Sequence, residues 1–236
     1  MTTKIAAILG VGPGLGSSIA KKFAKEGYSV AIMSRSLSKL TPVEQEIKRN
    51  NGSVISIPTD AGSTDSVKSA YEAIRNEFGA SPSVFVYNAG AFSPGGILDT
   101  TVEQFENNFK ILCTGCFIAA KQFVPDMLSQ KSGSFLITGA TASLRGGKGF
   151  MNLAVGKFGL RALSQSMARE FGPQGIHVAH VIVDGMIDTG SEYTRNKDKK
   201  ELLNPDALAK VYWDLHTQDP TVWTHELDVR PNVEKW

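Results

Sequence analysis

Short apolar or β-branched runs alternate with longer stretches of helical period along almost the whole chain, and no other feature constrains its fold as strongly. The runs cover residues 5–9, 29–33, 54–57, 84–87, 134–138 and 177–183, with a last one at 226–229. Helical periodicity marks 15–26, 66–78, 102–128 and 150–171, among other stretches. Gly27 and Gly79 stand just past two of these helices, and Thr101 with Gln104 has capping-box spacing before a third. This pattern predicts an α/β chain: a doubly wound parallel sheet of about seven strands with helices on both faces. No internal repeat or linker interrupts it, so residues 1–236 are expected to form one domain.

The first run leads into Gly10-Val11-Gly12-Pro13-Gly14-Leu15-Gly16, after which a helix begins. Glycines let a backbone turn tightly and approach a pyrophosphate, while the free N–H groups at the helix start favour its negative charge. Placed between the first strand and the first helix, the turn predicts a dinucleotide site and makes the fold Rossmann-like.

Charge and cysteine content exclude other classes. With 25 basic and 23 acidic side chains the net charge is +2, which gives no electrostatic case for nucleic acid. Apolar stretches are broken within about ten residues, short of the roughly 18 to 20 that a membrane span requires, so no membrane association is expected. MTTKIAAILG enters a strand pattern directly, without the apolar core and cleavage site of a signal peptide, and the expected location is cytoplasmic. Cys113 and Cys116 form a C-x-x-C pair inside a helical stretch. Redox pairs sit at a helix N-terminus, where the dipole lowers the thiol pKa, so these two are expected to be reduced, half-buried thiols. No metal site is expected.

The chain resembles the short-chain dehydrogenase/reductase family over nearly its whole length. Gly10-x-x-x-Gly14-x-Gly16 fits that family's glycine turn, and Asp60 after the third run matches its adenine-contacting Asp. Asn88-Ala89-Gly90 matches its N-A-G signature, and Asp184-Gly185-x-x-x-Thr189 stands where the family usually has P-G-x-x-x-T. The resemblance implies cofactor contacts at Gly10, Gly12, Gly14, Leu15, Gly16, Asp60, Asn88, Ala89, Gly90, Lys157, Ile187 and Thr189. It also implies a homodimer or homotetramer, for which a terminal Trp236 would suit an interface. After the second run the chain has Ser34-Arg35 and no acid. An acid there would bond the ribose hydroxyls of NAD, whereas Arg35 pairs with the extra phosphate of NADP; NADP(H) is therefore expected over NAD.

The resemblance fails at the catalytic positions. Lys157 is retained, as a catalytic and ribose-binding residue. Leu153 stands at the family's Tyr position, Ala140 at its Ser and Leu112 at its Asn, while Phe150 takes the Tyr position of the enoyl-reducing relatives. Leu cannot exchange a proton, so another donor is needed, or none. Thr138, Thr141, Ser143 and Asn152 lie near, and Tyr193 belongs to the polar segment 185–205, read as a substrate lid or a disordered excursion. Arg145 and Lys148 flank the site. His177 and His180, one toward each face of a strand, are read as structural. Leu112, Ala140 and Leu153 would line an apolar pocket. The expected activity is hydride transfer to or from a small hydrophobic carbonyl, alcohol or enone with an atypical active site; the alternative is a catalytically silent, NADP(H)-responsive sensor or interaction protein.

Overall fold

The computed structural model describes residues 4–234. Its strands are β1 (Ile5–Leu9), β2 (Ser29–Ser34), β3 (Val54–Pro58), β4 (Val84–Tyr87), β5 (Gly133–Thr138), β6 (Ile176–Val183), β7 (Met186–Ile187), β8 (Leu202–Leu203) and β9 (Glu226–Val229). Seven of them form one sheet in the order β3-β2-β1-β4-β5-β6-β9, every pair parallel, and β7 with β8 makes a separate short ladder. The helices are α1 (Leu15–Lys25), α2 (Leu37–Arg49), α3 (Thr64–Phe78), α4 (Val102–Phe109), α5 (Gly115–Gln130), α6 (Met151–Phe171), α7 (Glu192–Arg195) and α8 (Pro205–His216). A π-helical turn, Lys110–Thr114, joins α4 to α5.

Both sheet faces are covered, which is why the strands read as continuous apolar runs. Ile5, Ala7 and Leu9 of β1 face α3, α5 and α6, whose Ile74, Phe123 and Leu160 are buried against them. Ala6 and Ile8 face the opposite layer, where Phe23, Leu40 and Tyr212 bring in α1, α2 and α8. The order of the strands reverses between β1 and β4. Ligands of open parallel sheets bind outside the carboxyl ends of the strands at such a switch point.

The bounds of the seven strands of the main sheet agree with the sequence reading to within one residue, and the Thr101–Gln104 capping box forms, with backbone bonds of 3.2 and 3.1 Å. Helix α2 is an addition: Pro42 inside it obscures the Leu40, Val43 and Ile47 stripe that packs on the sheet. Two expectations need correction. The continuous helix Val102–Gln130 is long and apolar enough, by length and composition, to cross a membrane; half of its most apolar stretch is buried inside the protein, so it is a core helix. The segment 185–205 is ordered chain, holding β7, α7, a 3-10 turn and β8, and no disordered excursion. Trp213 packs edge-on to Phe23 and Tyr28, and Trp223 stacks on His177 at 4.8 Å. Trp213 is half-buried against the core and Trp223 is half-buried at the sheet edge; Trp236 lies outside the described residues.

Candidate functional site

Two cavities open at the carboxyl edge of the sheet. The first, about 530 Å³, sits at the switch point and draws its walls from the ends of the first four strands. Gly10, Gly12, Arg35, Asp60, Ala89 and Gly90, all named from the sequence, line it together. The glycine turn is built by close approach: Gly10 has φ +102°, and a Cβ there would lie 2.4 Å from the backbone of Asn88 and Ala89. Asn88 serves this geometry, its Nδ2 donating to the Gly10 carbonyl at 2.8 Å. Gly16 is packed under the same carbonyl, and Leu15 is buried as the first residue of α1. Side chains at Gly12 and Gly90 would meet nothing within 4 Å, so both leave open space inside the cleft. Gly14 faces the segment 185–205 instead: a Cβ there would stand 3.0 Å from Thr189 and 3.6 Å from Ile187. Asp60 accepts a hydrogen bond from the Gly62 amide at 2.9 Å, fixing the turn after β3.

Lys39 was invisible to motif reading. It lies in the first turn of α2, four residues after Arg35, and lines the cleft beside Arg35, Ser34 and Ser36. Arg35 stands in the bend before α2 and Lys39 inside it, so their meeting at the cleft depends on where α2 starts.

The second cavity, about 780 Å³, adjoins the turns after β5 and β6 and is lined in part by residues of the segment 185–205. Ala140, Thr141, Arg145, Leu153 and Tyr193 are on its wall, with Phe150 stacked on Phe92 at 5.3 Å. Leu112 is not. It is fully buried against Gly156, where a Cβ would come within 2.6 Å of the Leu112 Cβ, so the apolar trio expected at the pocket reduces to Ala140 and Leu153. Three other candidates are occupied elsewhere. Thr138 shares a 2.7 Å bond with the buried Tyr212 hydroxyl. Ser143 is buried, accepting from the Ala140 amide at 3.1 Å and lying 3.5 Å from His180 Nε2. Asn152 donates to the Ser93 carbonyl at 3.2 Å and pins the loop over α6. Lys148 is exposed and off this wall.

Lys157 is buried, its Nζ donating to the Thr138 carbonyl at 2.6 Å. Burial pushes its ammonium down to about 8. His177 and His180 do face opposite sides of β6: His177 against Trp223, His180 against Glu226 at 3.1 Å, which Arg161 holds through two bonds. Cys113 is half-buried and Cys116 fully buried, and burial raises both thiols, so neither has the thiolate character of a redox pair. Among the described residues no cluster of metal-ligating side chains occurs.

One polar group of the second cavity was given no role in the sequence reading. Asp184, 5% exposed, accepts a hydrogen bond from Thr141 Oγ1 and pairs with Arg230 Nη2 at 3.1 Å. The signal was there: an Asp stands where the resemblance leads one to expect Pro.

Comparison with known proteins decides the family. Residues 4–200 match the short chain dehydrogenase family. The chain belongs to it. An uncharacterized oxidoreductase of Staphylococcus aureus strain MRSA252 is 27% identical over 231 residues, 98% of each chain. A short-chain dehydrogenase from Rhodopseudomonas palustris is 37% identical, with a TM-score of 0.84 over 97% of this chain and 98% of that one. The same sheet and helix layers recur in an alcohol dehydrogenase from the archaeon Thermococcus sibiricus, complexed with 5-hydroxy-NADP. That protein is 23% identical with a TM-score of 0.88, covering 99% of this chain and 98% of its own.

Proposed function

We propose that this short-chain dehydrogenase is an NADP(H)-dependent oxidoreductase acting on a small, hydrophobic carbonyl, alcohol or enone. The observation that carries the reading is the pair of cavities at one sheet edge, one walled by glycines and two cations, the other presenting Phe92, Ala140, Phe150 and Leu153 among its lining. When bound, the dinucleotide supplies or accepts the hydride; everything else falls to the protein. Gly12 and Gly90 leave the room a diphosphate needs. Arg35 and Lys39 offer charge-assisted hydrogen bonds to a ribose phosphate, flanked by the Ser34 and Ser36 hydroxyls, and no carboxylate stands among residues 34–39 to claim the ribose of NAD. The NADP analogue bound by the Thermococcus alcohol dehydrogenase supports the same choice. Lys157 is on neither cavity wall, its Nζ reaching the Thr138 carbonyl at the end of β5, from which it would serve as the ribose-side cation, and Ala140 and Leu153 stand in the pocket where the family ordinarily presents Ser and Tyr.

Titration of NADPH and NADH against the protein, followed by tryptophan fluorescence, tests this. NADPH is expected to bind more tightly, and R35A/K39A to lose roughly 10- to 100-fold of that affinity, about 1.4 to 2.8 kcal/mol, with NADH little changed. Failure of the wild type to bind either nucleotide, or an R35A/K39A variant within twofold of it for NADPH, would sink the reading.

A further inference from the structure

We propose that Thr141 and Asp184 are the proton-exchange pair of this site: Thr141 takes the hydroxyl proton of a bound alcohol while passing its own to Asp184, and the transfer reverses onto a bound carbonyl oxygen. The inference rests on the reading of the larger cavity as an oxidoreductase pocket, and it supplies the proton path that Ala140 and Leu153 do not.

The geometry follows from four observations. Thr141 Oγ1 donates to Asp184 Oδ1, which commits the Thr141 hydrogen to the carboxylate and leaves the oxygen's lone pairs for a donor in the cavity. Both residues are on the cavity wall next to Ala140 and Leu153, so a substrate oxygen admitted there meets Thr141. Asp184 is nearly buried and held at Oδ2 by Arg230, which Asp228 fixes in turn at 2.6 Å. The acceptor is therefore pre-oriented, with Arg230 as its positioning residue. Finally, a buried carboxylate costs desolvation that a structural strand end does not require. The backbone requirement at this position is met by the amide alone, which donates to the Val229 carbonyl at 2.9 Å. The other charged groups on the cavity wall are the exposed Arg145, Lys197 and Glu201 and the half-buried Glu234, whose charge also acts on Arg230.

In the oxidative direction the substrate O–H bond breaks, its proton goes to Thr141 Oγ1, and the Thr141 proton goes to Asp184 Oδ1. The O–H electron pair becomes the carbonyl π bond, and the neighbouring C–H hydrogen would leave as a hydride that a bound oxidised dinucleotide would accept. One proton and one hydride are removed, and Asp184 ends protonated until it exchanges with water in the open cavity.

The test uses T141V, T141S and D184N, each checked for an unchanged melting transition. The probe is 2,2,2-trifluoro-1-phenylethanol, an oxidation-resistant alcohol whose ring suits Phe92 and Phe150, with its affinity for the dinucleotide-free protein read by fluorine NMR; turnover is measured with 1-phenylethanol and NADP. T141V is expected to weaken the probe about tenfold or more and to slow oxidation about 100-fold, while T141S stays within about threefold of wild type in both. D184N keeps the hydrogen bond from Thr141 but cannot take its proton, so it is expected to hold the probe yet oxidise about 100-fold more slowly. NADP affinity should stay within about twofold in all three variants, since none touches the nucleotide cleft. Loss of NADP binding by the wild type would defeat the reading of the site. Normal NADP binding with T141V matching wild type for the probe, or D184N oxidising at the wild-type rate, would overturn the pair.

Discussion

At the scale of single residues, Gly10 shows how narrow the tolerance of the nucleotide cleft is. Its φ of +102° is a conformation L side chains rarely adopt, and a Cβ there would lie 2.4 to 2.5 Å from Asn88 and Ala89 backbone atoms that cannot move without β4. Gly10→Ala is therefore expected to cost about 2 kcal/mol or more of unfolding free energy and to abolish nucleotide binding together, since the loop and the β4 terminus must part. Urea unfolding and the fluorescence titration check it; a variant of wild-type stability would show that the turn relaxes freely. The glycine turn was legible because its spacing encodes a backbone path, whereas Asp60 and Asn88 were reached through the family resemblance. Lys39 and Leu112 were not legible, since the first depends on where α2 starts and the second on how one helix turn is wound.

That winding is an element-scale matter. The π turn Lys110–Thr114 carries an extra residue between α4 and α5 and directs Leu112 into α6, where Gly156 receives it. Periodicity gave 102–128 as one helix and could not register a single wide turn, because one residue of drift is small against a stretch of nearly thirty. The close approach makes a prediction of its own. Gly156→Ala puts a methyl 2.6 Å from the Leu112 Cβ and is expected to destabilise by about 1 to 3 kcal/mol despite alanine's higher helix propensity. Leu112→Ala alone costs about 2 to 5 kcal/mol by leaving a cavity, and the double variant should be more stable than the sum of the two losses. Strict additivity in denaturation would mean that the two residues do not meet. In the segment 185–205 the polar composition hid local structure: Leu202 and Leu203 are buried and pair with β7.

The whole molecule joins its layers through neutral imidazoles. His180 lies between the sheet and α6, and His216 of α8 bridges Tyr28 at 2.6 Å and Ser134 at 2.8 Å on the other face. Burial pushes both down to about 4, against the attraction of Glu226 in the case of His180, and lowers His177 as well. In the unfolded chain these rings protonate below about 6.5, so between that pH and about 4 the unfolded state binds more protons than the folded one. Their contribution is accordingly complete above about pH 6.5 and is lost as the pH falls toward 4. The carboxylates held low by partners, Asp126 and Glu226 among them, add their loss at more acid pH, from about 4.5 downward. Urea unfolding at pH 7.5, 6, 5 and 4.5 should thus show several kcal/mol disappearing before the carboxylates titrate. His216→Gln, whose amide can serve both Tyr28 and Ser134 but carries no titrating proton, should flatten part of that slope. An unchanged slope would assign the acid sensitivity to other groups, and a stability constant from pH 7.5 to 4.5 would mean that the rings are solvated enough to protonate in place.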